Sequence, residues 1–494
     1  MNIPPAVVKI FKPKTWFGRL MLRGLIMNAV LFGTITVFYC EERWRGEHAW
    51  NRYKAEAKAR GTKLTIAEFI RPPIKDEDNF AAIPLFRDVF DTNSTTIHFE
   101  IPYAHSTNKT AVLGSTTDFG VWRDKFVTEG FFTNTTDSAA YDVLEALKKF
   151  DSEFVQLRAA AARPDCQFPV KWKNGFNVQM PHLNLIMQAA RVLRLRIAAE
   201  LAEGKSAEAY EDSKICLRLY HALEKDIGLL PGLVRVAILA QVESAVREGI
   251  FTGRWKPAEI VAIEKDLAAL NVVADCEFTL QGERTFSNDE IERLRAGALV
   301  GLFQTFSFAG IFRDYSREKI VMALFPHGWL RQNEVAINRF CDAWASRLDT
   351  KNSRFLATPT TAQINRDLGC DGMIGQFAYL PANLLLPALD KAQNKFVCCA
   401  AQTEQAKTAC ALERHRIARE TYPEKLDDLV PEFLPKVPSD PVDGKPLRYE
   451  KHPAGGYVLW SPDLEHKIAA LAGTNPPPVG DWETEVWVWR VPAR

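Results

Sequence analysis

The sequence predicts a mainly α protein with one N-terminal transmembrane helix, an αα-hairpin, helical-repeat-like body, and a small α+β C-terminal domain whose long helix packs on a short antiparallel sheet. Three observations carry that prediction. An uncharged run, GLIMNAVLFGTITVFYC, spans Gly24 to Cys40 behind a basic leader. Leu185, Ala189, Leu193, Ile197 and Leu201 recur four apart, the stripe of a helix with one buried face. Near the C-terminus, Leu447 and Tyr449, then Tyr457 and Leu459, alternate as two strands, and Thr484 to Val491 supplies a third.

Composition narrows the function classes. The 494 residues are 47% apolar and 25% charged, a packed globular mix that excludes wholesale disorder. That length corresponds to about two to four domains. Lys and Arg number 62 against 61 Asp and Glu, so the net charge of +1 gives no basic surplus for nucleic-acid binding. A mean hydropathy of −0.16 leaves room for little bilayer-spanning sequence and excludes a multi-span transporter.

Residues 1–19 read as a cytoplasmic basic tail. Lys9, Lys12, Lys14, Arg19 and Arg23 occupy the first 23 residues without a single acid. Residues 20–40 form a signal anchor: at about 1.5 Å per residue, some 20 residues cross a hydrocarbon core of about 30 Å. The flank beyond is mixed in sign (Glu41, Glu42, Arg43, Arg45, Glu47), so the positive-inside rule places the N-terminus in the cytoplasm and the body outside. The expected location is therefore the inner (cytoplasmic) membrane, single pass, with a periplasmic, extracytoplasmic body. Phe38, Tyr39 and Trp44 fit an interfacial aromatic belt. A cleaved signal peptide needs a small-x-small site that FYCEERW lacks. A lipid-modified Cys40 needs small residues where Val37, Phe38 and Tyr39 stand.

Residues 41–180 read as neck helices and a Thr/Asn-rich loop region. A helix continues past Trp50, Tyr53 and Ala57 to Gly61, and Thr65 with Glu68 forms a capping box. Irregular loop and short strand are expected from about 90 to 135, with sequons at Asn93, Asn108 and Asn134, and a helix from 138 to 163. The body, 181–348, pairs helices across short turns. Gly204 ends the first and Ser206 caps the second; others run near 230–250, 257–272 and 287–302, the last opened by Ser287 and Glu290. Residues 349–387, with ATPTTAQ, read as a linker or arm.

The domain at 388–494 begins with a helical seam of Phe396, Cys399, Thr403, Ala406, Cys410 and Ile417, a candidate interaction surface if exposed. Then comes ALERHRIARETYPEKLDDLVPEFLPKVPSDPVDGKPLRYEKHPAGGYVLWSPDLEH. The order is Leu-Glu-Arg-x-Arg, Thr-Tyr-Pro-Glu-x-Leu-x-x-Leu, Val-Pro-x-Asp-Pro, Gly-x-Pro-Leu-x-Tyr and Tyr-x-Leu-x-Ser. It resembles the C-terminal domain of the major pseudopilin of type II secretion systems, over roughly 388–465. The whole chain also looks like single-pass membrane proteins of planctomycete and verrucomicrobial bacteria that carry such a tail. The resemblance implies protein partners in the envelope, with secretion components among them. It also raises calcium, for which Asp443 and Glu450 are the candidate ligands, although Ser439 and Pro441 occupy other ligand positions and a plain Asp443-Gly444 turn explains the segment. The chain departs from that family at the N-terminus: Arg23-Gly24 is followed by Leu-Ile-Met-Asn-Ala, without the glutamate of the peptidase site.

No HExxH, GxSxG, phosphate loop or GxGxxG occurs. Ser106 to Lys109 and Ser316 to Lys319 are Ser-x-x-Lys tetrads without a KTG motif. His98, Glu100 and His105 form the one His/carboxylate cluster in the loop-rich region and are the candidate catalytic residues. Trp482, Trp487 and Trp489 offer a candidate carbohydrate strip, or a strand packed on the long helix. Nine scattered cysteines without a CxxC pair read as core residues. The leading expectation is a membrane-anchored extracytoplasmic scaffold or interaction protein without catalytic activity or cofactor. A cell-envelope hydrolase using the 90–135 loops is the alternative, and an accessory factor of a secretion or pseudopilus system the second.

Overall fold

The computed structural model describes residues 16–91, 98–102, 116–296, 325–356, 366, 375, 378–463, 467–480 and 482–493. The protein is mainly helical, with an apolar helix near the N-terminus and a small antiparallel sheet near the C-terminus. The chain divides into two units, each built from separate stretches of sequence. One comprises Met1–Lys63, Ser287–Arg339 and Asn365–Leu385; the other comprises Leu64–Phe286, Phe340–Ile364 and Leu386–Arg494.

The first unit is dominated by α1, Trp16–Ala59, a continuous helix of 44 residues. Every residue from Leu25 to Phe38 is exposed, and burial begins at Glu42. Gly61, at a φ of 71°, ends the helix region as its sequence position implies.

In the second unit, Glu68 accepts from the Thr65 backbone N–H at 2.8 Å, one half of the expected capping box. The loop expected at 90–135 holds a helix, α2, Phe119–Thr128, because the Asp118 carboxylate accepts from the Val121 N–H at 3.1 Å and caps it. Two helices, α3 (Ala139–Leu147) and α4 (Asp151–Ala160), replace the single one expected at 138–163.

The body runs through α5 (Pro181–Ala202), α6 (Ser206–Ala222), α7 (Leu229–Thr252), α8 (Pro257–Ala268) and α9 (Val272–Arg295). The helices α5, α6 and α7 pack on one another, and α5 also packs on α3. Leu185, Ala189, Leu193, Ile197 and Leu201 are all at most 4% exposed, so their four-residue spacing does mark the buried face. Two capping assignments differ. Ser206 is the first helical residue, and its buried hydroxyl accepts from the Lys256 N–H at 3.1 Å instead of capping α6. Ser287 and Glu290 lie buried inside α9, not at a helix start. The N-terminal cap is Asn271, whose side-chain oxygen accepts from the Ala274 N–H at 3.0 Å.

After α10, His327–Ala345, a two-stranded hairpin pairs β1 (Leu348–Asp349) with β2 (Arg354–Phe355), so the linker region carries structure. The long helix α11, Leu380–Arg419, starts earlier than expected and contains Pro387. Strands β3 (Arg448–Lys451), β4 (Tyr457–Trp460) and β5 (Val488–Val491) form an antiparallel sheet in that order, with Tyr449 opposite Leu459 and Leu459 opposite Trp489. Gln405 of α11 fixes the helix to the sheet side. Its amide donates to the Ser461 hydroxyl at 3.1 Å and to the Trp487 carbonyl at 2.9 Å. The Asp443-Gly444 turn forms, with Gly444 at a φ of 69°.

Candidate functional site

The distinctive assembly of charge lies where α1 stops being exposed. Glu42, Gly46, Trp50, Tyr53 and Ala57 step 4, 4, 3 and 4 along α1 and are its buried residues, a stripe facing partners in the same unit. Those partners come from the end of α9 and the start of α10, and together they make a collar.

Three acids on this part of α1, Glu42 in the stripe and Glu47 and Glu56 beside it, each meet a donor. Glu42 accepts from the Gln332 amide at 2.8 Å, the Trp329 indole at 3.1 Å and Arg45 at 2.7 Å. Glu47 receives Arg295 at 2.7 Å and Arg331 at 3.3 Å. Glu56 pairs with Arg339. The guanidinium planes of Arg331 and Arg339 also lie 5.7 and 5.0 Å from the ring centres of Trp50 and Tyr53. At the crossing of α1 and α10 no side chain intervenes. A Cβ on Gly328 would overlap the Glu42 carbonyl, and one on Gly46 would overlap the Gly328 carbonyl. Asn333 holds α10 in place, donating to the Ala378 carbonyl at 2.8 Å, and Asn338 donates to Asn288 at 2.6 Å.

The electrostatics of this collar follow from a simple imbalance. Arg331 reaches Glu292 at 2.6 Å and Glu334 at 2.5 Å, besides Glu47. Arg295 reaches Glu292 at 2.9 Å and Glu47. Two guanidinium groups therefore face three carboxyls, and the least solvated of the three should carry the proton. It is Glu334, whose side chain is fully buried. Burial pushes its carboxyl up to about 7 against the opposing pull of Arg331. Burial acts on Glu292 in the same sense, but the bonds and charge of Arg331 and Arg295 hold its carboxyl below the usual range. For Glu56 the bond from Arg339 dominates and lowers the carboxyl.

The residues singled out by sequence are placed as follows. His98 lies 2.9 Å from Asp88 and 3.5 Å from Glu153, two acids the sequence did not suggest. Glu100 is exposed, and His105 lies outside the described residues, as do Asn93, Asn108, Cys370 and both Ser-x-x-Lys tetrads. Asp443 is engaged by Arg448 at 2.9 Å, while Glu450 sits exposed in β3. Among the described residues, no three His, Cys, Asp or Glu side chains gather where they could hold a metal ion. Trp487 and Trp489 are buried, at 8% and 0% exposure, so they do not form an open strip.

The seam on α11 is corrected by burial. Phe396, Cys399, Thr403, Ala406 and Cys410 are covered within their own unit, leaving only Ile417, at 40% exposure, on the outside. The physical reason is that α7 and the sheet fill the groove. The Thr403 hydroxyl donates to Glu243 of α7 at 2.6 Å, and Arg247 donates to the Val488 carbonyl at 3.2 Å. Burial pushes the Glu243 carboxyl up to about 8 and the Arg247 guanidinium down to about 10. Burial likewise raises the thiols of Cys216 and Cys398 to about 12, far from a reactive thiolate.

The collar thus binds a helix by matched charge, stacked cations and a glycine crossing; its chemistry is that of holding. Comparison with protein-family models, curated proteins and solved structures gives no match for this chain.

Proposed function

We propose that the chain is a single-pass, membrane-anchored scaffold whose body lies outside the inner membrane and makes protein contacts without catalysing a reaction. The observation that carries the anchor is the exposure of α1. From Leu25 to Phe38 it presents Leu, Ile, Met, Val and Phe on all sides, and every residue of the stretch is exposed. An apolar helix of that length exposed all round is costly in water and favourable in hydrocarbon. The basic residues before it and the mixed charge after it support the orientation. The collar then serves to tie the emerging helix to the other segments of its own unit, the end of α9 and the start of α10.

The tail supports a second, narrower reading, an accessory of a pseudopilus or secretion assembly. A long helix followed by a three-stranded antiparallel sheet, α11 and then β3 to β5, is the arrangement that the pseudopilin resemblance implies. The filled seam directs any partner to other faces of that domain.

Protease added to intact cells, to cells with a permeabilised outer envelope and to lysed cells tests the first reading. Degradation of the body as soon as the outer envelope is opened is the expected result. Protection until the inner membrane is breached overturns the orientation. Crosslinking followed by purification from native membranes tests the second: recovery without any secretion component rejects it.

A further inference from the structure

We propose that the first unit carries a binding site for an anionic phospholipid at the outer end of α1. The inference rests on the membrane reading of α1. A cavity of about 480 Å³ opens there, lined by Ile35, Thr36, Tyr39, Cys40, Arg43, Arg295 and His327. Its lining changes character along the helix axis. Ile35 belongs to the exposed apolar stretch, Tyr39 and Cys40 stand at its end, and Arg43 lies one turn further out. The upper wall adds His327, the first residue of α10, at the positive end of a 19-residue helix.

Two of these polar groups are unengaged among the described residues. Arg43 and His327 are exposed, and neither forms a hydrogen bond or ion pair among the described residues. Every other arginine of the collar, Arg45, Arg295, Arg331 and Arg339, is spent on a glutamate. The Nε of Arg295 is buried without a partner beside the same cavity, while its two terminal nitrogens hold Glu47 and Glu292. An occupant must therefore be apolar at the level of Ile35 and Tyr39 and anionic one turn above, at Arg43 and His327. A phosphodiester headgroup with its acyl chain directed along α1 has that profile. A free phosphate ion would satisfy only the upper half.

The test uses the full-length chain in phosphatidylcholine nanodiscs doped with a small fraction of bromine-labelled phosphatidylglycerol, or of bromine-labelled phosphatidylcholine as control. Quenching of tryptophan fluorescence reports lipid next to Trp44 and Trp329. Quenching by labelled phosphatidylglycerol should exceed that by labelled phosphatidylcholine. Arg43→Gln should reduce the preference about fivefold, the effect of removing one cation at a membrane surface, and His327→Gln should reduce it as well. Both side chains are exposed and form no hydrogen bond or ion pair among the described residues, so the variants should fold. Equal quenching by the two lipids, or a preference unchanged in both variants, overturns the site. Displacement by millimolar inorganic phosphate overturns the lipid assignment in favour of a simple anion site. The anchor reading fails separately: a chain that alkaline carbonate strips from membranes refutes it, whereas a chain that stays embedded without phosphatidylglycerol enrichment refutes only the lipid site.

Discussion

Replacing Glu334 with glutamine should make the protein lose part of its sensitivity to alkali. Glu334 is the third acid around two arginines, and burial raises its carboxyl from 4.5 to about 7. The folded chain therefore holds this proton at pH values where the unfolded chain has released it. The stability that the protonated group contributes is fully present below pH 4.5 and is lost as pH rises through about 7. The gap between the two values corresponds to about 3.4 kcal/mol, of which about 2.5 kcal/mol falls between pH 5 and pH 8. Glutamine has the same shape and no charge at any pH. At pH 5 the wild type and Glu334→Gln should unfold at nearly the same urea concentration in detergent micelles. At pH 8 the variant should be the more stable by about 2.5 kcal/mol. A difference between the two proteins that stays constant from pH 5 to pH 8 would refute the assignment of the shared proton to Glu334.

Three further outcomes are expected. Leu31→Arg combined with Ile35→Arg places two charges within the exposed apolar stretch, at about 3 kcal/mol each for insertion; the doubly substituted chain should move into the carbonate-soluble fraction, and full retention in the pellet would argue against a spanning helix. Gly328→Ala forces a methyl group into the Glu42 carbonyl, so the helix crossing should weaken by about 1–3 kcal/mol, read as faster tryptic cleavage after Arg45 and Arg52; unchanged cleavage would mean that the contact is not tight. Thr403→Val removes the donor to Glu243 and should cost about 1–3 kcal/mol, with the cost growing as pH passes about 8 and that carboxyl ionises; a cost that shrinks toward alkali contradicts a buried carboxyl relying on Thr403.

Elements governed by local pattern were legible in the sequence. The apolar run of α1, the four-residue stripe of α5 and the alternation in β3 and β4 each follow from one dominant periodicity. The seam on α11 was legible as a pattern but not as a surface, because the same 3-4 spacing serves a partner helix and a helix's own core equally well. Burial against α7 decides it. The collar was the least legible feature. Its pairs join Glu47 to Arg295 and Arg331, and Glu56 to Arg339, across more than two hundred residues, and each stretch alone looks like an ordinary solvated helix face. The one local trace was the spacing of Trp50, Tyr53 and Ala57. The caps at Asn271 and Asp118 were missed for a different reason. Ser287 with Glu290 matched a familiar start signal, while packing of Phe286, Ile291 and Leu294 carried the helix straight through it.

The contrast between the two halves of α1 bears on how the gene can change. Below Ile35 the helix has no preferred face, so its rotational phase carries no information, and residues there can be exchanged, inserted or removed as long as the run stays apolar and long enough. From Glu42 to Ala57 a single inserted residue would swing the stripe by about 100° and aim every one of its contacts at the wrong neighbour. The anchor is thus a replaceable cassette joined to a keyed shaft, and the freedom to vary ends within one turn of Tyr39.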